Sequence, residues 1–68
     1  MQTILTKLEK TRAQLVKKAE HRDAYYMKRT EDWQESEKGI EYDVNTGLIA
    51  DVVENLDNAI EDVKLILK

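Results

Sequence analysis

The chain has 68 residues, with eleven Lys or Arg against fourteen Asp or Glu and a net charge of −3. This length allows one domain with a small core. The absence of cysteine excludes a disulfide framework and a thiolate metal site.

The first predicted element is a helix over about residues 3–38. Thr3 is expected to cap its start and Gly39 to end it. An alternative with three helices would break the chain near residues 21–23, but an uninterrupted heptad register favours one helix. Residues spaced by three, four or seven form the predicted seam: Leu5, Leu8, Arg12, Leu15, Ala19, Arg22, Tyr26, Arg29 and Trp33.

A turn over about residues 39–45 and a second helix over about 46–67 follow. The apolar residues of this second helix alternate at three and four: Ile49, Val52, Leu56, Ala59, Val63 and Ile66. Two helices joined by a short turn pack antiparallel. The sequence therefore predicts an all-α helical hairpin that forms one domain over residues 1–68.

The two halves of the chain carry opposite charge. Residues 1–29 have eight basic and three acidic residues, whereas residues 30–68 have three basic and eleven acidic residues. Antiparallel packing would set the acidic second helix against the basic first helix. We therefore expect much of this charge to be neutralised within the hairpin.

The unequal helix lengths predict a homodimer. A first helix of about 36 residues would project roughly 20 Å past a second helix of about 22 residues. Apolar side chains on this overhang would favour a second hairpin, which would complete a four-helix arrangement. The predicted dimer interface consists of Ile4, Leu5, Leu8 and Leu15.

No residue pattern indicates catalysis. The chain has no nucleophile–base pair and no phosphate-binding loop, so we expect a non-enzymatic protein with no catalytic residue, cofactor or small-molecule substrate. Residues 43–54 space their acidic side chains like a calcium-binding loop, but Leu48 stands where that loop requires glycine. His21 has no second ligand at helical spacing, so no metal site is predicted.

The sequence shows neither the pattern of a membrane-spanning segment nor that of a signal peptide. No apolar stretch approaches the roughly 18 residues of a membrane span, so no membrane partner is expected. The first residues lack the charged and apolar regions of a signal peptide. The expected location is therefore cytoplasmic.

All four aromatic residues lie within 18 positions near the predicted turn, with two arginines among them. Tryptophan, tyrosine and arginine are enriched in the hot spots of protein interfaces. We therefore predict a binding surface for a host or cognate protein, with Trp33 as its packed support. Its residues are Arg22, Tyr25, Arg29, Trp33 and Tyr42.

The alternative function is nucleic-acid binding by a hairpin dimer. A basic helix contacts phosphates without reading sequence, and RNA is the expected ligand in this case. The basic residues concerned are Lys7, Lys10, Lys17, Lys18, Arg22, Lys28 and Arg29.

The segment from Trp33 to Gly39 reads Trp-Gln-Glu-Ser-Glu-Lys-Gly, and Tyr42 and an acidic amphipathic helix follow it. In this respect residues 30–68 resemble small uncharacterised acidic helical proteins of bacteria and their phages. The resemblance implies a phage or mobile-element origin. It further implies an inhibitor or regulator that occludes a host protein, such as a defence protein.

Overall fold

The computed structural model describes residues 1–68 as three helices and no strand. They are α1 (Gln2–Lys28), α2 (Glu31–Glu35) and α3 (Glu37–Leu67). α1 and α3 pack antiparallel, and the short α2 packs against α3 at the end where the chain turns. The molecule measures 52 × 14 × 11 Å. The predicted all-α helical hairpin is thus confirmed.

The first helix ends at Lys28 and not near residue 38, so the predicted bound is wrong. Arg29 and Thr30 have extended backbone, with ψ angles of 159° and 154°, which breaks the helix. The Thr30 side chain then accepts a hydrogen bond from the Trp33 backbone N–H at 3.2 Å and caps α2. The Gln34 side-chain amide donates at 2.8 Å to the Tyr26 carbonyl, which also accepts from the Arg29 backbone N–H at 3.1 Å, so Gln34 ties α2 to the end of α1.

The predicted turn over residues 39–45 is helical. α3 begins at Glu37, because the Ser36 hydroxyl accepts a hydrogen bond from the Gly39 N–H at 3.2 Å and caps the helix. Gly39 therefore lies in the first turn of α3 and does not end a helix. The alternative break near residues 21–23 is also absent, since α1 runs through them.

The hydrophobic core is small. It contains Leu5, Ile60 and Val63, with the half-buried Leu8 packed against them. Gly39 and Thr46 complete the set of five buried residues. Few apolar side chains therefore hold the two long helices together.

The predicted N-terminal overhang is wrong. α3 is the longer helix, with 31 residues against 27 in α1, and it covers the start of α1. Leu5 is only 6 % exposed within its own hairpin, and Leu8 and Leu15 are half-buried. Of the four residues of the predicted dimer interface, only Ile4 is exposed, at 50 %.

Ion pairing between the helices is limited to one contact. Arg12 forms a two-pronged ion pair with Asp57. The Arg12 Nε donates to Oδ1 of the carboxylate, and the Arg12 Nη2 donates to Oδ2 at 3.4 Å. The hydrogen bond from Arg12 and the charge of Asp57 raise the pKa of the arginine above its already high ordinary value. Because this pKa lies far above the neutral range, Arg12 stays charged there and its pair with Asp57 is retained as far as the arginine is concerned. The expected neutralisation of α1 by direct ion pairs does not extend beyond this contact.

None of the helices combines the length and the apolar character that crossing a lipid bilayer requires.

Candidate functional site: an aromatic and arginine cluster

The turn end of the hairpin gathers all four aromatic side chains. Tyr25 and Tyr26 come from the last turns of α1, Trp33 from α2 and Tyr42 from α3. The break after α1 folds Trp33 back between the two long helices. Its ring centroid lies 6.0 Å from Tyr25, 5.9 Å from Tyr26 and 5.7 Å from Tyr42. The rings of Tyr25 and Tyr42 are themselves 5.5 Å apart, so the aromatic groups form one packed set.

Arg22 connects α1 to α3 beside these rings. Its guanidinium carbon lies 3.9 Å from the centroid of the Tyr42 ring, within the range of a cation–π contact. Its Nε donates to the Thr46 hydroxyl at 2.9 Å, and a second nitrogen donates to the Tyr42 carbonyl at 3.2 Å. Thr46 is buried, and its hydroxyl donates in turn to the same carbonyl at 3.0 Å. Arg22 is therefore engaged in holding the turn end together.

Arg29 occupies the outer side of the set. Its guanidinium lies 4.3 Å from the centroid of the Trp33 ring and 5.5 Å from that of Tyr25. One of its nitrogens donates to the Tyr25 hydroxyl at 2.6 Å. This contact holds the Tyr25 ring in one orientation at the surface, with its hydroxyl and the arginine side by side.

The structure brings together all five residues that the sequence predicted here. We call Arg22, Tyr25, Arg29, Trp33 and Tyr42 the aromatic–arginine cluster. Tyr25 is 46 % exposed, whereas the other four side chains are half-buried. The solvent-accessible part of the cluster is therefore the Tyr25 ring with the outer edge of Arg29. The Tyr42 side chain is half-buried and so less accessible than a contact residue of the predicted binding surface would be.

Two supporting residues were missed by sequence reasoning. Gln34 ties α2 to the end of α1, and Thr46 provides the buried hydroxyl that receives Arg22. Thr46 lies one helical turn after Tyr42, which is the only sequence signal that relates it to the aromatic set.

A second surface lies on the outer side of α1. At 100° per residue, its lysines and the one histidine fall within an arc of about 100° that faces away from α3. Glu9, Glu20 and Asp23 fall outside this arc. All residues of this lysine stripe are exposed, and none forms an ion pair: Lys7, Lys10, Lys17, Lys18, His21 and Lys28.

One shallow polar depression lies between the helices near the Arg12–Asp57 pair. Lys64 also lines it and pairs with Glu61 at 3.8 Å. No group of three His, Asp or Glu side chains is arranged to hold a metal ion. Residues 43–54 are helical within α3, so the acidic side chains there do not form a calcium-binding loop.

Comparison of the chain with protein-family models, with curated proteins and with solved structures found no match.

Proposed function

We propose that this chain is a non-enzymatic protein-binding module that regulates or inhibits a host protein by occluding part of its surface. The aromatic–arginine cluster is its contact surface, and the cytoplasm is its site of action. The observation that carries the proposal is the exposed Tyr25 ring, which is fixed by its hydrogen bond to Arg29 and supported from behind by Trp33.

The chemistry of this surface suits protein recognition. A tyrosine offers a large contact area at a low cost in conformational entropy, and arginine adds directional hydrogen bonds. Because the ring and the guanidinium already hold each other, little further ordering is needed when a partner binds. Truncation of such an anchor typically costs about 2 kcal/mol or more of binding free energy.

The shape of the molecule supports occlusion as the mode of action. The hairpin is narrow, and its one depression is shallow and lined mostly by charged residues, four of which form two ion pairs. A protein with this form regulates a partner most simply by covering one of its surfaces. The proposed inhibition of a host defence protein follows from the resemblance to small acidic phage proteins and is the most specific form of this proposal.

The experiment is affinity capture from a lysate of the native host, with three baits compared by quantitative mass spectrometry. The baits are the natural chain, Tyr25→Ala and Met27→Ala. Met27 is a matched control because it lies two residues after Tyr25 on α1, is 74 % exposed and, at 100° per residue, points to a different side of the helix. We expect one host protein that the natural chain and Met27→Ala retain and that Tyr25→Ala loses. Equal retention by all three baits would refute the assignment of the contact surface.

Nucleic-acid binding by the lysine stripe is the second candidate. It is favoured by the observation that the stripe is exposed, unpaired and free of acidic residues over about 32 Å of helix. A stripe of this kind would follow a phosphate backbone and would bind without sequence preference.

Titration of a labelled RNA and a labelled DNA at several salt concentrations tests this second candidate. Substitution of Lys10 and Lys17 by glutamine should reduce the slope of log K against log salt by about 0.7–0.9 for each phosphate that the variant no longer neutralises. Lys64→Gln, on α3, should leave the slope unchanged. Failure of the natural chain to bind either nucleic acid at low salt would eliminate this function.

A further inference from the structure

The α3 helix has a second apolar face that no part of the hairpin covers. Ile40, Val44, Leu48 and Val52 follow one another at every fourth residue and form a ridge of about 18 Å. We call these four residues the α3 ridge. Each of them is between 45 and 57 % exposed. The side of α3 that faces α1 is occupied by other residues, including the buried Thr46, Ile60 and Val63.

The residues that flank the α3 ridge include several acidic ones and no basic one. Glu37 lies at its N-terminal end, Glu41 along one flank and Asp51 along the other. All three carboxylates are exposed and none forms an ion pair. α3 contains no basic residue between Lys38 and Lys64. The border of the ridge also contains neutral residues such as Asn45 and Ile49, but its net charge is negative.

Gly47 lies beside the ridge, next to Val44 and Leu48. A Cβ atom added to Gly47 would meet no atom within 4 Å, so nothing in the hairpin requires glycine there. Glycine in the middle of a helix is unfavourable compared with alanine. It does, however, allow the backbone of a neighbouring helix to approach closely.

We infer that the α3 ridge is a docking surface for a basic amphipathic helix of a partner protein. Such a helix would set its apolar side chains between those of the ridge and its lysines or arginines against Glu41 and Asp51. The charge of the border selects this occupant. The inference concerns a surface separate from the aromatic–arginine cluster and does not depend on it.

A second copy of this chain matches the ridge less well. An antiparallel pair of α3 helices that aligned Ile40 with Val52 would bring two acidic borders together without a basic residue for either, since α3 has none between Lys38 and Lys64. The outer face of α1 offers lysines. Its large exposed apolar side chains, however, are confined to its two ends, at Met1, Ile4, Tyr25 and Met27.

The test uses the full chain and two synthetic helical peptides of about 20 residues, which is long enough to span the ridge. Both peptides carry leucine at every fourth position, and their flanking positions are either all lysine or all glutamate. The binding of each labelled peptide is measured by fluorescence anisotropy at low and moderate salt. The lysine peptide should bind at least about tenfold more tightly than the glutamate peptide, and this difference should shrink with added salt.

Variants of the chain locate the binding. Leu48→Asn should weaken binding of the lysine peptide by about tenfold, because it removes an apolar anchor. Leu65→Asn is the matched control, since Leu65 is a similarly exposed leucine of α3 outside the ridge, and binding should not change. Circular dichroism should show that both variants keep the helicity of the natural chain. Tyr25→Ala should bind the lysine peptide as tightly as the natural chain does. A failure of the ridge to bind the peptide can therefore be told apart from a failure of the aromatic–arginine cluster to bind its host protein.

Three outcomes would overturn the inference. One is a lysine peptide that does not bind when the chain is present at about 100 μM, a concentration at which even a weak specific contact would be detected. Another is binding that Leu48→Asn does not weaken. The third is a dimer in analytical ultracentrifugation that Leu48→Asn dissociates, because the ridge would then belong to self-association.

Discussion

At the scale of single residues, the polar contacts of Arg22 decide how firmly the turn end is held. Arg22 donates to the buried Thr46 hydroxyl and to the Tyr42 carbonyl and lies over the Tyr42 ring. The sequence indicated that arginines would interrupt the apolar seam of α1, and Arg22 and Arg29 are indeed half-buried on that seam. It could not indicate their partners, because those of Arg22 come from residues 20 and 24 positions away that only the folded hairpin brings close.

Substitution of Thr46 by valine should therefore destabilise the hairpin. The change keeps the shape of the side chain but removes the acceptor of the Arg22 Nε–H, and a donor left without its partner costs about 1–3 kcal/mol. Urea denaturation followed by circular dichroism measures this destabilisation. Thr46→Ser is the control, because serine keeps the hydroxyl, and it should retain most of the stability. Equal stability of Thr46→Val and the natural chain would contradict the role of this hydrogen bond.

At the scale of helices and turns, the amphipathic patterns predicted two long antiparallel helices but misplaced the turn between them. The predicted end of the first helix at Gly39 is wrong: α1 ends with Arg29 as its cap, Thr30 caps the start of α2, and Ser36 ends α2 and caps the start of α3. Several residues in this region are chemically able to cap a helix. Which of them does so depends on the packing of Trp33 between the long helices, and this packing is a tertiary contact that the local sequence does not encode.

The two glycines should respond to alanine in opposite directions. A Cβ atom on Gly39 would collide with the Trp33 carbonyl oxygen and lie 2.9 Å from Gln34 Cα. Gly39→Ala should therefore force α2 away from α3 and cost about 1–3 kcal/mol, as overpacking does elsewhere. Gly47→Ala has open space and should raise the stability by up to about 1 kcal/mol through helix propensity.

Melting temperatures of both glycine variants give the sign of each effect. The near-ultraviolet circular dichroism of Trp33 should change for Gly39→Ala and not for Gly47→Ala, since only Gly39 lies against α2. A Gly39→Ala variant as stable as the natural chain would show that α2 is not packed closely on α3.

At the scale of the whole molecule, the small core limits the stability of the hairpin. Only Leu5, Ile60 and Val63 form it, and a chain of this size has few other means of offsetting the entropy of folding. Ile60→Ala should cost about 2–4 kcal/mol, a large part of the stability expected for such a domain. Leu65→Ala, at an exposed position of the same helix, should cost far less. Urea denaturation of both variants tests this difference, and similar destabilisation at the two positions would place the core elsewhere.

The charge separation seen in the sequence has its main consequence at this largest scale. It was expected to be neutralised between the helices, yet only Arg12 and Asp57 form an ion pair across them. The lysines of α1 and the carboxylates beside the α3 ridge therefore remain available to partners on opposite sides of the molecule. This arrangement gives one small hairpin two surfaces of opposite charge, with the aromatic–arginine cluster at its end.

The most direct test of protein binding by the aromatic–arginine cluster is the dissociation constant of the captured host protein for Tyr25→Ala and for Met27→Ala. Isothermal titration calorimetry gives both constants, and melting temperatures of the same preparations report the fold. We expect Tyr25→Ala to weaken binding by roughly thirtyfold, equivalent to about 2 kcal/mol, while its melting temperature stays close to that of Met27→Ala. An unchanged dissociation constant for a folded Tyr25→Ala, or equally weakened binding in both variants, would contradict protein binding by this cluster.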